Sequence, residues 1–429
     1  MSRTAFVNAR LVDPASGYDQ FGSLLVQDGL IADLGPTLFN DGRPDDAEIV
    51  DCDGKLLSPG LIDMRVFTGE PGSEHRETLA TASHAAAAGG VTRIIVMPNT
   101  DPVIDEVALV DFIKRRARDT ALVHVHPMAA LTKGLEGQEM TEIGLLKEAG
   151  AVAFTDGIRA LANAQVMRRA LTYARSFDAL VVQHAQDPDL TKRGAMNEGE
   201  LATRLGLPGL PAVAEVVMIE RDLRLVELAG GRYHVSQVSC AASVDVIRQA
   251  KNRGLAVTCG VSAAHLALNE NDVGNYRTFF KLSPPLRSEE DRLALVKGVA
   301  DGTIDVIVSG HDPQDPDTKR QPFEEADFGA IGLETLLPAG MRLVHNGEIS
   351  LHRLLGAMTF APADLMRIDA GRLAVGQPAD LVVIDPARSW IVDEQKLRSS
   401  SKNTPFEHAR FEGYATRTIV AGETVFERN

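Results

Sequence analysis

Few residues in this chain stand where they could do chemistry. Asp156 closes the run Ala153-Phe154-Thr155-Asp156, and His184 closes Val181-Val182-Gln183-His184, so each polar group follows a short apolar stretch. A carboxylate and an imidazole so placed are able to share one metal ion, or to serve the core as hydrogen-bonding groups. His124-Val125-His126 is an HxH pair; two imidazoles at that spacing bind a metal only with further converging ligands, so the pair reads as structural, with metal binding as the alternative. His234 and His311 follow other apolar runs and carry the same two readings, while His75 and His84 fall in a helical segment and read as ordinary. Arg65 and Phe67, two apart in Pro59-Gly60-Leu61-Ile62-Asp63-Met64-Arg65-Val66-Phe67, lie at the end of an apolar run and cannot bind a metal. A guanidinium has donors only and stays protonated, and a phenyl ring has no lone pair to offer. If Arg65 points inward it fixes a positive charge in the interior, with Asp156 as the expected partner, because a buried carboxylate is costly alone. The other reading leaves Arg65 on a solvated face.

The elements that must position these residues alternate. Residues 5–11, 23–27, 30–34 and 47–51 read as short strands between Gly and Asp turns, and strand-like runs return at 380–385 and at 416–427 around Ala421-Gly422. Between them, apolar runs at 93–97, 122–127, 151–154, 180–184, 233–238, 256–261 and 306–309 alternate with amphipathic segments such as 215–228 and 244–253. Repeated βα units imply a parallel barrel, with its chemistry where strands end and loops begin. The expected architecture is α/β: a (β/α)8 TIM-like barrel over 57–364, and a small β-sandwich domain built from 1–56 plus 365–429. With 429 residues, 44% apolar and 24% charged, the chain has the composition of a soluble globular protein. A net charge of −15 argues against nucleic acid or an anionic membrane as partner. Three widely spaced cysteines (Cys52, Cys240, Cys259) form neither a disulfide framework nor a CxxC zinc site, and no apolar stretch approaches a membrane span or a signal peptide. A reduced, cytoplasmic protein is expected.

Read in order, several segments resemble dihydroorotases of the cyclic amidohydrolase superfamily across nearly the whole chain. They include Pro59-Gly60-Leu61-Ile62-Asp63, Glu70-Pro71-Gly72, Met97-Pro98-Asn99-Thr100, Met196-Asn197-Glu198-Gly199, Lys281-Leu282-Ser283-Pro284-Pro285-Leu286-Arg287 and Asn403-Thr404-Pro405-Phe406. The resemblance implies the same barrel and β-domain. It also implies six metal-site positions, which here hold Arg65, Phe67, Asp156, His184, Gln237 and Gly310. One carboxylate and one imidazole remain, too few for a zinc site of about four ligands. Gly310 stands where active relatives place the aspartate that moves the proton, so no catalytic residue is expected. Asp312, two residues on, is a substitute only if the strand geometry allows it, because two residues of extended chain span about 6–7 Å. Of the implied substrate positions, an arginine is replaced by Gly69, an asparagine is kept as Asn99 and another is replaced by Ser283; a histidine pair is reduced to His265.

What the resemblance implies for function is a metal-ligand-poor homologue. The expectation is an inactive dihydroorotase-like subunit of pyrimidine biosynthesis, dimeric, acting as a structural or regulatory subunit for aspartate carbamoyltransferase, with no cofactor. Two alternatives stand beside it. One is an active zinc-dependent dihydroorotase or related cyclic amidohydrolase with an atypical site on Asp156 and His184. The other is a non-catalytic small-molecule sensor contacting its ligand through Asn99 and Arg287.

Overall fold

Burial patterns divide the strands into two sets. β1 (Arg3–Asp13), β2 (Tyr18–Gln27), β3 (Leu30–Gly35), β4 (Glu48–Asp51) and β5 (Leu56–Pro59) open the chain. Then follow β6 (Leu61–Val66), β7 (Val91–Val96), β8 (His124–Pro127), β9 (Leu180–Gln183), β10 (Met196–Asn197), β11 (Gly209–Leu210), β12 (Arg232–Val235), β13 (Val257–Ser262) and β14 (Val306–Val308). β15 (Leu381–Ile391), β16 (Arg410–Val420) and β17 (Glu423–Glu427) close it. The structure, a computed structural model, describes residues 3–40, 42 and 44–428. Residues 1, 2 and 429, the outermost positions of the expected terminal domain, lie outside the described residues, as do 41 and 43.

Strands from both ends of the chain pair into one eight-stranded sheet in the order β17-β16-β15-β5-β1-β2-β3, with β4 beside β1. The joint is β15 against β5, antiparallel, with Leu381 opposite Pro59 and Val383 opposite Leu57. Alternation along β15 then assigns the faces. Leu381 and Val383 pack with Phe6, Leu11, Leu24 and Ile31 in the sheet's own core, whereas Val382 and Ile384 join the barrel core with Leu61 and Val91. Gly90 marks the contact. Its φ is 83°, and a β-carbon there would lie 2.9 Å from Val382 and 3.0 Å from Ala415, so any side chain would push the sheet off the barrel.

Apart from β10 and β11, which pair only with each other, the second set forms the barrel. β6, β7 and β8 pair in parallel, and so do β9, β12, β13 and β14. β6 and β7 are buried at every position, as expected of parallel strands covered on both faces. Bridges close the two arcs: Ala129 to Phe154 to Val181 on one side, and Val66 to His311 on the other. The run at 151–154 is thus of bridge length rather than a full strand, yet it is bonded to both neighbours: the Phe154 amide donates to Leu180 O (2.9 Å) and the Ala129 amide to Ala153 O (3.0 Å). Helices Leu79–Ala88, Val107–Thr120, Ala164–Ser176, Val213–Ala229, Ala241–Asn252 and Glu289–Ala300 separate the strands. Thr78, Asn163 and Ser288 cap three of them by accepting helix amides. His84 is an exposed residue of the first helix, but His75 is not helical: it lies in the exposed turn ahead of the Thr78 cap.

Candidate functional site

β6 ends by turning Arg65 inward. Only 6% of its surface is exposed, so the solvated reading does not hold. The expected pairing with Asp156 does not hold either. Asp156 is 2% exposed and accepts from the Leu131 amide (3.1 Å), the Thr132 amide (2.8 Å) and the Thr132 hydroxyl (2.6 Å). The reason is register: the bridge of Phe154 with Ala129 sets Asp156 against the amides that follow β8, and those donors answer it. Burial pushes its carboxyl pKa up, while Thr132, Leu131 and Arg159 pull it down.

The acids that act on Arg65 are Asp312 and Asp63. Asp63 is wholly buried and accepts from the amides of Arg65 and Ser309 (3.2 Å each), tying β6 to the end of β14. Asp312 accepts from Arg76 (3.0 Å) and from the Gln314 side-chain amide (2.9 Å). The Arg76 guanidinium sits over the Phe67 ring at 4.5 Å and donates to Pro313 O at 2.8 Å. Phe67, 4% exposed, thus carries a cation on its face where an imidazole would offer a lone pair. Asp312 lines the pocket at the mouth together with Arg65, Gln237 and Gly310, because β14 ends at Val308 and Gly310 turns the chain at φ +65°. Its oxygen faces Arg76 rather than a free proton path.

Gly310 shapes the rest of the mouth. A β-carbon on it would lie 3.0 Å from Gln237 Nε2 and 3.3 Å from Ser262 Cβ, in a backbone conformation side chains rarely adopt. Gln237 is 4% exposed and its Oε1 has no partner. His184, 3% exposed, shares a proton through Nε2 with Gln186 Oε1 (3.1 Å) and Ser283 Oγ (3.2 Å), while Nδ1 has no partner. Burial, then the Arg65 charge, pushes its pKa down to about 4. Neither His184 nor Asp156 lines the pocket that Arg65 lines, and among the described residues no three His, Cys, Asp or Glu side chains gather as a metal site. The donors here do not fit a zinc pair: one imidazole faces a guanidinium, and the one carboxylate expected to bridge is consumed by three protein donors.

The positions that the resemblance gives to the substrate are engaged or enclosed to different degrees. Gly69 has φ +67°, and a β-carbon there would lie 2.4 Å from Ser73 O and 2.6 Å from Glu77 O. Asn99, half-buried, has an unpartnered Oδ1. Arg287 is buried and committed to Ser239 Oγ (3.1 Å), Asn197 Oδ1 (2.8 Å) and Leu210 O (2.5 Å), which places it in the scaffold rather than at a ligand. His265 bonds Ser262 Oγ (2.7 Å) and Pro284 O (3.0 Å). The pocket itself has about 30 Å³ of free space. That is room for on the order of two waters.

The remaining histidines are structural contacts. His234 bonds Thr258 Oγ1 (2.8 Å). His126 Nε2 lies 3.3 Å from Arg93, whose other nitrogen holds Asp380 at 2.6 Å, and His124 reaches Asp380 at 3.2 Å. The HxH pair therefore clamps the barrel to the root of β15. His311 accepts from the Gly332 amide (3.2 Å) and places Nε2 3.5 Å from Glu77, which is wholly buried and also accepts from Thr81 and Ser399. Sequence reasoning missed Glu77 and Arg76. No spacing rule links Glu77 to His311, and the one local signal is its place just before the Thr78 cap.

A barrel of parallel strands with a sheet made from both termini, and its polar side chains gathered at the strand ends, defines an amidohydrolase-type architecture. The chain has a TM-score of 0.90 to the L-hydantoinase (dihydropyrimidinase) from Arthrobacter aurescens, at 27% identity, covering 100% of this chain and 97% of that one. A family model described as Dihydro-orotase-like matches residues 54–243, and one described as Amidohydrolase family matches residues 305–426. Curated relatives named dihydroorotase include one from Ehrlichia canis, 44% identical over 98% of this chain and 94% of its own length. Another, from Anaeromyxobacter sp. (strain K), is 44% identical over 100% of this chain and 99% of its own. The chain belongs to the dihydroorotase family. Among the described residues no helix is long and apolar enough to cross a membrane.

Proposed function

We propose that this chain serves de novo pyrimidine biosynthesis as a non-catalytic member of the dihydroorotase family, a dimeric structural or regulatory subunit of aspartate carbamoyltransferase. The observation that carries this reading is the Arg65 guanidinium, buried at the end of the first barrel strand, facing a glycine at the position the family resemblance gives to the acid/base. Hydrolysis of a cyclic amide needs a metal-activated or base-activated water and a group to receive its proton. Arg65 repels the metal, Gly310 has nothing to receive a proton, and Arg76 occupies Asp312. Such a barrel with its fold intact is suited to assembly. The choice of partner follows from the family resemblance, and so does cytoplasmic location.

The opposing reading, an active dihydroorotase, is favoured by one observation: relatives bearing that name match over essentially the full length at 44% identity. One experiment separates the two. The protein is purified without chelator, its zinc content is measured, and turnover of dihydroorotate is assayed with and without added zinc. The expected result is neither stoichiometric zinc nor turnover, together with co-elution with aspartate carbamoyltransferase when the two are mixed. Bound zinc with turnover would overturn the non-catalytic reading, and absence of co-elution would overturn the assembly role.

A further inference from the structure

A buried guanidinium ordinarily has its five donors answered by carboxylates, carbonyls or water. Arg65 does not. Among the described residues its side chain donates to no protein acceptor, and its Nε is enclosed without a partner. The two acids whose charges reach it are already engaged, Asp312 by Arg76 and Gln314, and Asp63 by the amides of Arg65 and Ser309. A second donor converges on the same space. Gln237 Nε2 lies 3.0 Å, and Arg65 NH1 3.9 Å, from the point where a β-carbon on Gly310 would be. The space beside them, bounded by Ser262, Ser309 and the apolar Leu282 and Ile331, has about 30 Å³ of free room.

We infer that the barrel mouth is a binding site for a small planar oxyanion, of the formate and bicarbonate class, held by the Arg65 guanidinium and the Gln237 side-chain amide. The inference rests on the metal-free reading of the site. The fixed positive charge of Arg65 disfavours a cation, and Gln237 turns its Nε2 toward the same space. Shape favours a planar anion, because the guanidinium fork matches two coplanar oxygens. Charge favours a monoanion: Asp312 lines the same pocket, so a second negative charge on the ligand meets it. Room limits the ligand to about four heavy atoms, by the space two waters take. The apolar wall keeps local polarity low, which strengthens a charge-assisted hydrogen bond and raises the cost of leaving the guanidinium unanswered.

The test is calorimetric titration of the full chain with sodium formate and sodium bicarbonate, with methanesulfonate holding the ionic strength, on protein whose zinc content has been measured. Saturable binding at one site per chain is expected for both anions. Arg65→Met should weaken it about 10- to 100-fold, the worth of a hydrogen bond to a charged group. Gln237→Leu should weaken it less, and serves as the second variant if Arg65→Met fails to fold in urea denaturation. Affinity unchanged in a folded Arg65→Met, or no saturable heat with metal-free wild type, overturns the anion site while leaving the non-catalytic reading in place. Stoichiometric zinc with turnover overturns the reading beneath it.

Discussion

Removing the Asp156 carboxylate separates a scaffold from a metal site. Three donors converge on it, the Leu131 amide, the Thr132 amide and the Thr132 hydroxyl, all in the interior. Asp156→Ala leaves them without an acceptor. A buried donor left unsatisfied costs about 1–3 kcal/mol, and partial relaxation makes the three less than additive, so a loss of about 3–6 kcal/mol is expected. Asp156→Asn keeps an acceptor for the two amides and offers the hydroxyl a donor in place of its second acceptor, so it should cost about 1 kcal/mol. Because Thr132 Oγ1 also accepts from the Gly137 amide at 2.9 Å, its hydroxyl cannot turn freely to a new partner, which keeps the asparagine cost above zero. The assay is urea denaturation of the two variants and of wild type, each with and without a chelator. A chain of 429 residues shifts its melting point by only about 1 °C per kcal/mol, so urea is the more sensitive probe. A scaffold role requires the graded order Ala below Asn below wild type, and no effect of chelator. Were chelated wild type to fall to the level of Asp156→Ala, or both variants to unfold like untreated wild type while losing bound zinc, Asp156 would be a metal ligand and the reasoning above would fail.

Acid should unfold this protein early. Burial pushes His126, His184 and His265 down to about 4 and His234 to about 3, from an ordinary 6.5. These folded-state values are depressed, so their stabilisation is present above pH 6.5 and is lost as pH falls through 4, about 2 kcal/mol per histidine at pH 5. Glu334, raised by burial to about 7, works in the opposite sense, losing stability as pH rises from 4.5 to 7. A urea midpoint that stays flat between pH 7 and 5 would refute the histidine account, and Glu334→Gln should raise the midpoint at pH 8 relative to pH 5. Asp380→Ala should cost about 3–5 kcal/mol by stranding buried Arg93, and hydrogen exchange should show the terminal sheet loosening first. Gly69→Arg should destabilise by more than about 2 kcal/mol through its left-handed backbone and the two carbonyls at its β-position, with no gain in dihydroorotate binding by calorimetry.

Local patterns carried the architecture well. Every apolar run assigned to the barrel lies on its wall, because a parallel strand buried on both faces must be apolar throughout, and that pattern is visible one strand at a time. The terminal strands were legible from alternation and turn residues, although β15 and β16 extend beyond the runs at 380–385 and 416–427. Contacts between distant segments were not legible. That Asp156 answers Thr132 rather than Arg65 depends on how Phe154 bridges Ala129, and that Phe67 lies beneath Arg76 depends on the turn between them. His124 meets Asp380, more than 250 positions away, only because β15 returns to β5. Gly310 reads in sequence as a missing acid; that its φ is +65°, in a region glycine favours, was not legible there.

If the site is non-catalytic as proposed, the packing around it bears on whether a metal centre could be built there. If only side chains at these positions stood in the way, restoring three imidazoles and a carboxylate would build a metal centre. Here the neighbours pack against the residues that are present. Phe67 is the platform for Arg76, Arg76 holds Asp312, Gly69 is pressed by two carbonyls, and the β-position of Gly310 faces the Gln237 amide at 3.0 Å. Each restored residue would have to displace a contact that the fold now uses, and those contacts couple, so the costs would not fall one at a time. Around this mouth Arg65 Nε, Gln237 Oε1, Asn99 Oδ1 and His184 Nδ1 are left without partners. On the non-catalytic reading, Arg65 is the one charged group among them, so it is where a bound ligand would contribute most.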